Sequence, residues 1–122
     1  MSLPFMREEQ LISWLRSLAR TSYIRRHCSY GMAQSDAPLA YHVAVAHGCV
    51  AACAPPDLSF RFASARVHPA LWILLIGMSS RDRKTTALNL GRDLFRAACP
   101  DRYGDHPNSV PAFLEGMASQ PQ

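Results

Sequence analysis

"LLIGMSSRDRKTTAL", residues 74–88, decides how the back half of the chain is read. An unbroken apolar run that starts at Leu71 reaches Gly77, opens into Ser79, Ser80, Arg81, Asp82 and Arg83, and closes on Lys84, Thr85 and Thr86. A run of strand length with no polar alternation suits a strand buried on both faces of a parallel sheet, so "LWILLIG", residues 71–77, is expected to be one. Beyond the loop, "TTALNLGRDLFRAA" places Leu88, Leu94 and Phe95 at helical intervals among alanines. This predicts a helix that Gly91 weakens without ending. The order is strand, polar loop, helix.

That order is the one a phosphate-binding loop needs. A buried strand delivers the chain to a tight turn whose backbone N–H groups converge on phosphate oxygens, and the following helix aims its positive end at the same place. A lysine adds a mobile cation for the outer phosphates, and the hydroxyl residue after it holds Mg²⁺. Lys84 is the sole lysine in the sequence and Thr85 follows it. The spacing departs from G-x-x-x-x-G-K-[ST]. Counted from Gly77 the loop is one residue too long, counted from Met78 the first glycine is missing, and in both registers Arg83 replaces the second glycine. A longer loop reaches a similar anion nest through other torsions, Ser79 and Ser80 supply hydroxyls, and Arg83 offers guanidinium donors to a phosphate.

Upstream, Leu11, Trp14, Leu15 and Leu18 recur at helical spacing, and one amphipathic helix is expected from Glu8 to about Tyr30. Gly31 is suited to end it, and Ser35 or Asp36 to cap a second helix from about Pro38 to Cys53, rich in small residues that admit a close neighbour. "APPD" stops that helix. "LSFRF", residues 58–62, alternates like a strand with one wet face, and "ASARVHPA" reads as connection with room for a second short extended piece. "CPDRYGDHPN" is turn-rich, and "SVPAFLEGMASQ" reads as a short helix capped by Ser109. The boundary near Pro55 and Pro56 divides a helical region, 1–56, from a strand–loop–helix region, 57–122.

A length of 122 residues allows one small domain with a thin core. Thirteen basic against nine acidic residues leave +4, compatible with nucleotide or nucleic-acid binding without requiring it. "ALWILLIGM" is far shorter than the roughly 20 apolar residues of a membrane span, and "APLAYHVAVAHGCVAACA" carries two histidines and suits a buried helix. "MSLPFMREEQ" has no basic start followed by an apolar stretch. The expectation is a cytoplasmic protein whose four cysteines stay reduced.

His42, His47, Cys49 and Cys53 share part of a helix, yet zinc sites usually carry loop-spaced pairs, and core packing is the better reading; His68 adds nothing to a site. Arg16, Arg20, Arg25, Arg26 and His27 suggest a DNA-contacting face, against the plainer reading of a solvated helix surface. Trp14, Tyr23 and Tyr30 suit the core better than base stacking, and Cys28 beside His27 makes no nucleophile pair.

"LWILLIGMSSRDRKTTALNLGRDLF" resembles the variant P-loop of RecA-like NTPases found in phage, plasmid and mobile-element replication proteins, a primase- or helicase-associated family whose loop ends in Arg-Lys before Ser or Thr. "SYGMAQSDAPLAYHVAVA" is similar to the helical segment before that core, and "HPNSVPAFLEGMASQP" to the segment after its first helix, so the likeness spans roughly residues 22 to 121. It implies an α/β fold, with a partial RecA-like core behind a helical N-terminal region. It also implies ATP and Mg²⁺ as ligands, with Lys84 on the outer phosphates, Thr85 on the metal, and Gly77, Ser79, Ser80, Arg83 and Thr86 around the phosphates. In the whole family member, hydrolysis would drive movement on DNA by a ring of subunits. The acidic strand that positions Mg²⁺ and water has no counterpart after Lys84, where Asp93, Asp101 and Asp105 fall in a helix or turns. The expectation is therefore the truncated front of an NTPase that binds a nucleotide without turning it over. The competing expectation is a non-catalytic remnant or helical module for a protein or nucleic-acid partner.

Overall fold

The structure, a computed structural model, describes residues 6–55, 57–78 and 83–102. Its elements, in order, are α1 (Glu8–Ser17), α2 (Tyr23–Gln34), α3 (Leu39–Cys53), β1 (Phe60–Phe62), β2 (Ala65–Val67), α4 (Lys84–Ala98) and a 3₁₀ turn at Pro100–Arg102. The expected helix at 109–120 lies outside the described residues.

α3 is the centre. It is apolar around most of its circumference, the pattern of a helix surrounded by others. Leu39, His42, Val45, Ala46 and Cys49 are buried at steps of three and four. α2 contributes His27, Cys28 and Gly31 to this core, and α4 contributes Ala87 and Gly91. Glycine permits two close approaches. A Cβ on Gly31 would lie 2.7 Å from His42 Cε1, and a Cβ on Gly91 would collide with Val45 Cγ1. α1 joins through Trp14, whose ring stacks on His47 with centroids 6.1 Å apart.

The single helix expected from Glu8 to Tyr30 is two helices. Leu18 is extended at the end of α1, the Ser22 amide closes a turn onto the Ala19 carbonyl, and α2 starts at Tyr23. The apolar stripe runs out at Leu18, because continuing its period leads to Thr21, Ser22 and Arg25. Hydroxyl residues compete for backbone hydrogen bonds and favour such helix ends. Arg25 then fills the break, its guanidinium donating to the Leu18 carbonyl at 2.7 Å at the negative end of α1. Gly31 does not end α2. It sits buried within it, where the missing side chain admits the His42 ring.

β1 and β2 form an antiparallel hairpin with Phe60 opposite Val67, turning through Ala63 at φ 55. His68 Nδ1 donates to the Leu58 carbonyl at 3.1 Å and ties its base. Both strands are exposed, and of the "LSFRF" expected as a strand only Phe60–Phe62 forms one, without a buried face.

The largest difference concerns residues 71–78. They have no regular secondary structure, and Leu71, Trp72, Leu74, Ile76 and Met78 are exposed, Trp72 at 99%. A buried parallel strand needs neighbours to take its amide and carbonyl groups. Among the described residues the two strands pair only with each other. The segment instead runs back along α3, with Ile73 at Gly48 and the Ile76 carbonyl taking a hydrogen bond of 2.7 Å from the Tyr41 hydroxyl. No helix among the described residues is long and apolar enough to cross a membrane.

Candidate functional site: the loop between Gly77 and Lys84

Two features start α4 where it starts. Arg83 adopts a left-handed conformation (φ 49, ψ 33) that turns the chain sharply, and its carbonyl accepts the Ala87 amide at 3.1 Å as the first helical bond. Lys84 is thus the first helical residue, and the first turn of α4 contains no acidic side chain to neutralise its positive end.

Three contacts fix the ends of the loop. The Lys84 ammonium turns back and donates to the Gly77 carbonyl, bringing the last residue of the loop onto the first. Tyr41 of α3 holds the preceding residue through the Ile76 carbonyl. Asp36, from the α2–α3 connection, pairs with Arg83 at 3.1 Å (Nε–Oδ1). The loop is therefore moored to the helical region by residues that precede it by 35 and 47 positions, and neither Tyr41 nor Asp36 carries a sequence signal for that task. Both side chains of the Arg83–Asp36 pair are more than half exposed. Such pairs contribute about 0–1 kcal/mol. Asp36→Asn is accordingly expected to lower stability in urea denaturation by less than about 1 kcal/mol, and a larger loss would show that the pair does more than link two exposed side chains.

Of the expected phosphate-site residues, Gly77, Lys84 and Thr86 are half-buried and Thr85 is exposed. Arg83 is paired with Asp36. Ser79 and Ser80 lie outside the described residues. The residues present suit an anion: one ammonium, one helix N-terminus, two hydroxyls, no carboxylate in the first turn. For Mg²⁺ the described residues at the start of α4 offer hydroxyl oxygens, those of Thr85 and Thr86, and no carboxylate. That donor set fits an ion that arrives already held by phosphate oxygens, since Mg²⁺ keeps most of its shell from water and phosphate.

The other candidates separate in space. Arg16, Arg20 and Arg26 are exposed, whereas Arg25 is engaged at the end of α1. Tyr23 and Tyr30 are about half exposed and, with Thr21, Arg26, His27 and Leu94, line an open hollow of about 320 Å³. His47 Nδ1 donates to the Val43 carbonyl, His42 is enclosed, and Cys53 lies at the far end of α3, so these side chains do not converge. No cluster of three or more metal-ligating side chains occurs among the described residues.

The α2–α3 contact holds an unusual group of titratable side chains. His27 and His42 are 3% and 0% exposed, and His27 Nε2 and both His42 nitrogens lack a hydrogen-bond partner. Tyr23 reaches His27 Nδ1 at 3.0 Å. Burial pushes both imidazoles below their ordinary range, with charge on His42 also opposing charge on His27. The Cys28 thiol is pushed by burial up to about 11. These groups are neutral packing elements at neutral pH.

Comparison with protein-family models, with curated proteins and with solved structures finds no match for this chain.

Proposed function

We propose that the loop between Gly77 and Lys84 binds the phosphates of ATP, with Mg²⁺ carried in on the nucleotide, as part of a replication-associated RecA-like ATPase acting in the cytoplasm. The observation that carries this reading is the position of Lys84. It opens α4, and its ammonium lies on the carbonyl at which the loop begins, so a cation and a helix N-terminus serve the same short span. Lys84 would exchange the Gly77 carbonyl for a phosphate oxygen, the first amides of α4 would hold the anion, and the Thr85 hydroxyl would be the protein's donor to Mg²⁺ brought in on the phosphates. Arg83 must first leave Asp36 to reach a phosphate. The proposal is for binding, not turnover. DNA contact through the exposed Arg16, Arg20 and Arg26, with Arg25 of the expected face engaged at the end of α1, is a further part of the proposal that rests on their charge and placement, and assembly into a ring is one that rests on the resemblance alone.

The test is a calorimetric titration with Mg·ATP. Lys84→Ala should weaken binding at least about tenfold, the equivalent of one charge-assisted hydrogen bond, with its thermal midpoint monitored because Lys84 also closes the loop. Equal affinity in the two proteins, or no binding by the native chain, rejects the reading.

A second reading has its own observation. The exposed apolar side chains of residues 71–78 suit a module that binds a protein partner without nucleotide. Replacing Trp72 and Leu74 with serine would abolish such binding and leave nucleotide affinity unchanged.

A further inference from the structure

The C-terminal ends of α3 and α4 bring Cys53 and Cys99 together, 46 positions apart in sequence, with sulfurs 3.5 Å apart. Cys53 is the last residue of α3 and exposed, and Cys99 is the half-buried residue that ends α4. The geometry points to an oxidisable dithiol: Cys53 and Cys99 form a reversible disulfide that joins α3 to α4.

The sulfurs need approach by only about 1.5 Å to reach bonding distance near 2.05 Å. Both residues lie at helix ends, where Ala54 and Cys99 already have non-helical torsions and the backbone has room to adjust. The remaining two cysteines are unsuited. Cys28 and Cys49 are buried among the helices, and burial raises both thiols, which keeps them protonated and unreactive.

The oxidant is a small disulfide such as oxidised glutathione. The thiolate of Cys53 attacks one sulfur of glutathione disulfide, breaking that bond and expelling one glutathione thiolate. Cys99, as thiolate, then attacks the Cys53 sulfur and expels the second glutathione. Two cysteine protons and two electrons leave the protein, and one disulfide is reduced to two thiols. The closed loop spans the hairpin and the Gly77–Lys84 loop, so oxidation restricts the unfolded chain around the candidate site.

The full-length chain is incubated with oxidised glutathione, denatured in acid and assayed for thiols and by peptide mass mapping. The expected result is loss of two of the four thiols, a Cys53–Cys99 linked peptide, and a thermal midpoint raised by roughly 10 °C that returns on adding dithiothreitol. In Cys99→Ser the reaction should stop with one glutathione on Cys53. Retention of all thiols, linkage through Cys28 or Cys49, a link between two chains, or one glutathione on each of Cys53 and Cys99 would overturn the inference.

Discussion

Gly91→Ala is expected to lower the thermal midpoint by roughly 5–10 °C, a net loss of about 1–2 kcal/mol. Alanine favours the interior of α4 by about 1 kcal/mol over glycine. The added methyl, however, would meet Val45 Cγ1 far inside contact distance and Cys49 Sγ at 3.5 Å, between two helices that are tied there by the Cys49 thiol on the Gly91 carbonyl. Overpacking of this kind costs about 1–3 kcal/mol or somewhat more. Strain therefore exceeds propensity. Adding Val45→Ala should restore part of the loss by making room for the methyl. Gly48→Ala makes a useful contrast, because the atom it meets at 3.0 Å is the flexible end of Ile73. A Gly91→Ala protein as stable as the native one would mean that α3 and α4 do not pack as described.

Acid is expected to destabilise the fold earlier than carboxylate titration alone would. Above about 6.5 His27 and His42 are neutral in both folded and unfolded states, and they contribute no pH dependence. Below that value the unfolded chain takes up protons that the folded chain refuses, because its imidazoles are lowered by burial. The unfolded state then binds more protons, so stability falls with falling pH, by up to about 1.4 kcal/mol per pH unit for each imidazole. The groups packed around the pair, Tyr23, Cys28 and Cys49, supply no negative charge there, since all three are raised above their ordinary values. The same three set the alkaline limit: as pH rises through about 9 the unfolded Cys28 releases its proton first, and stability falls again until about 11. Denaturant unfolding from pH 5 to 10 should therefore show greatest stability between about 6.5 and 9. His42→Leu, which removes two nitrogens that have no partner, should flatten the limb between pH 6.5 and 5. Constant stability across that interval in the native protein would contradict the burial of the two rings.

Sequence pattern and structure agree best where a single helix decides the matter. Pro38 and the pair at residues 55 and 56 bracket α3 almost to the residue, because proline acts locally and needs no partner. α4 is equally legible, Gly91 included. The α1–α2 break was visible in principle, since Thr21, Ser22 and Arg25 interrupt the apolar stripe. Residues 71–77 could not be read the same way. An apolar run is silent about whether neighbouring strands exist to pair with it, and among the described residues none does. At the candidate site, Gly77, Lys84 and Thr85 were identifiable from their order alone. The roles of Tyr41 and Asp36 were not, because they depend on how the connection folds back along α3. The same holds for Cys53 and Cys99, whose proximity follows from α3 and α4 running side by side in one direction.

The central claim, that backbone amides around Lys84 receive phosphate, is tested most directly by amide chemical shifts of the ¹⁵N-labelled chain. Titration with Mg·ATP should move the Gly77, Lys84, Thr85 and Thr86 resonances together, inorganic triphosphate should reproduce the change, and adenosine should leave them in place. Movement with adenosine alone, or saturation by Mg·ATP with these four amides unmoved, would contradict it.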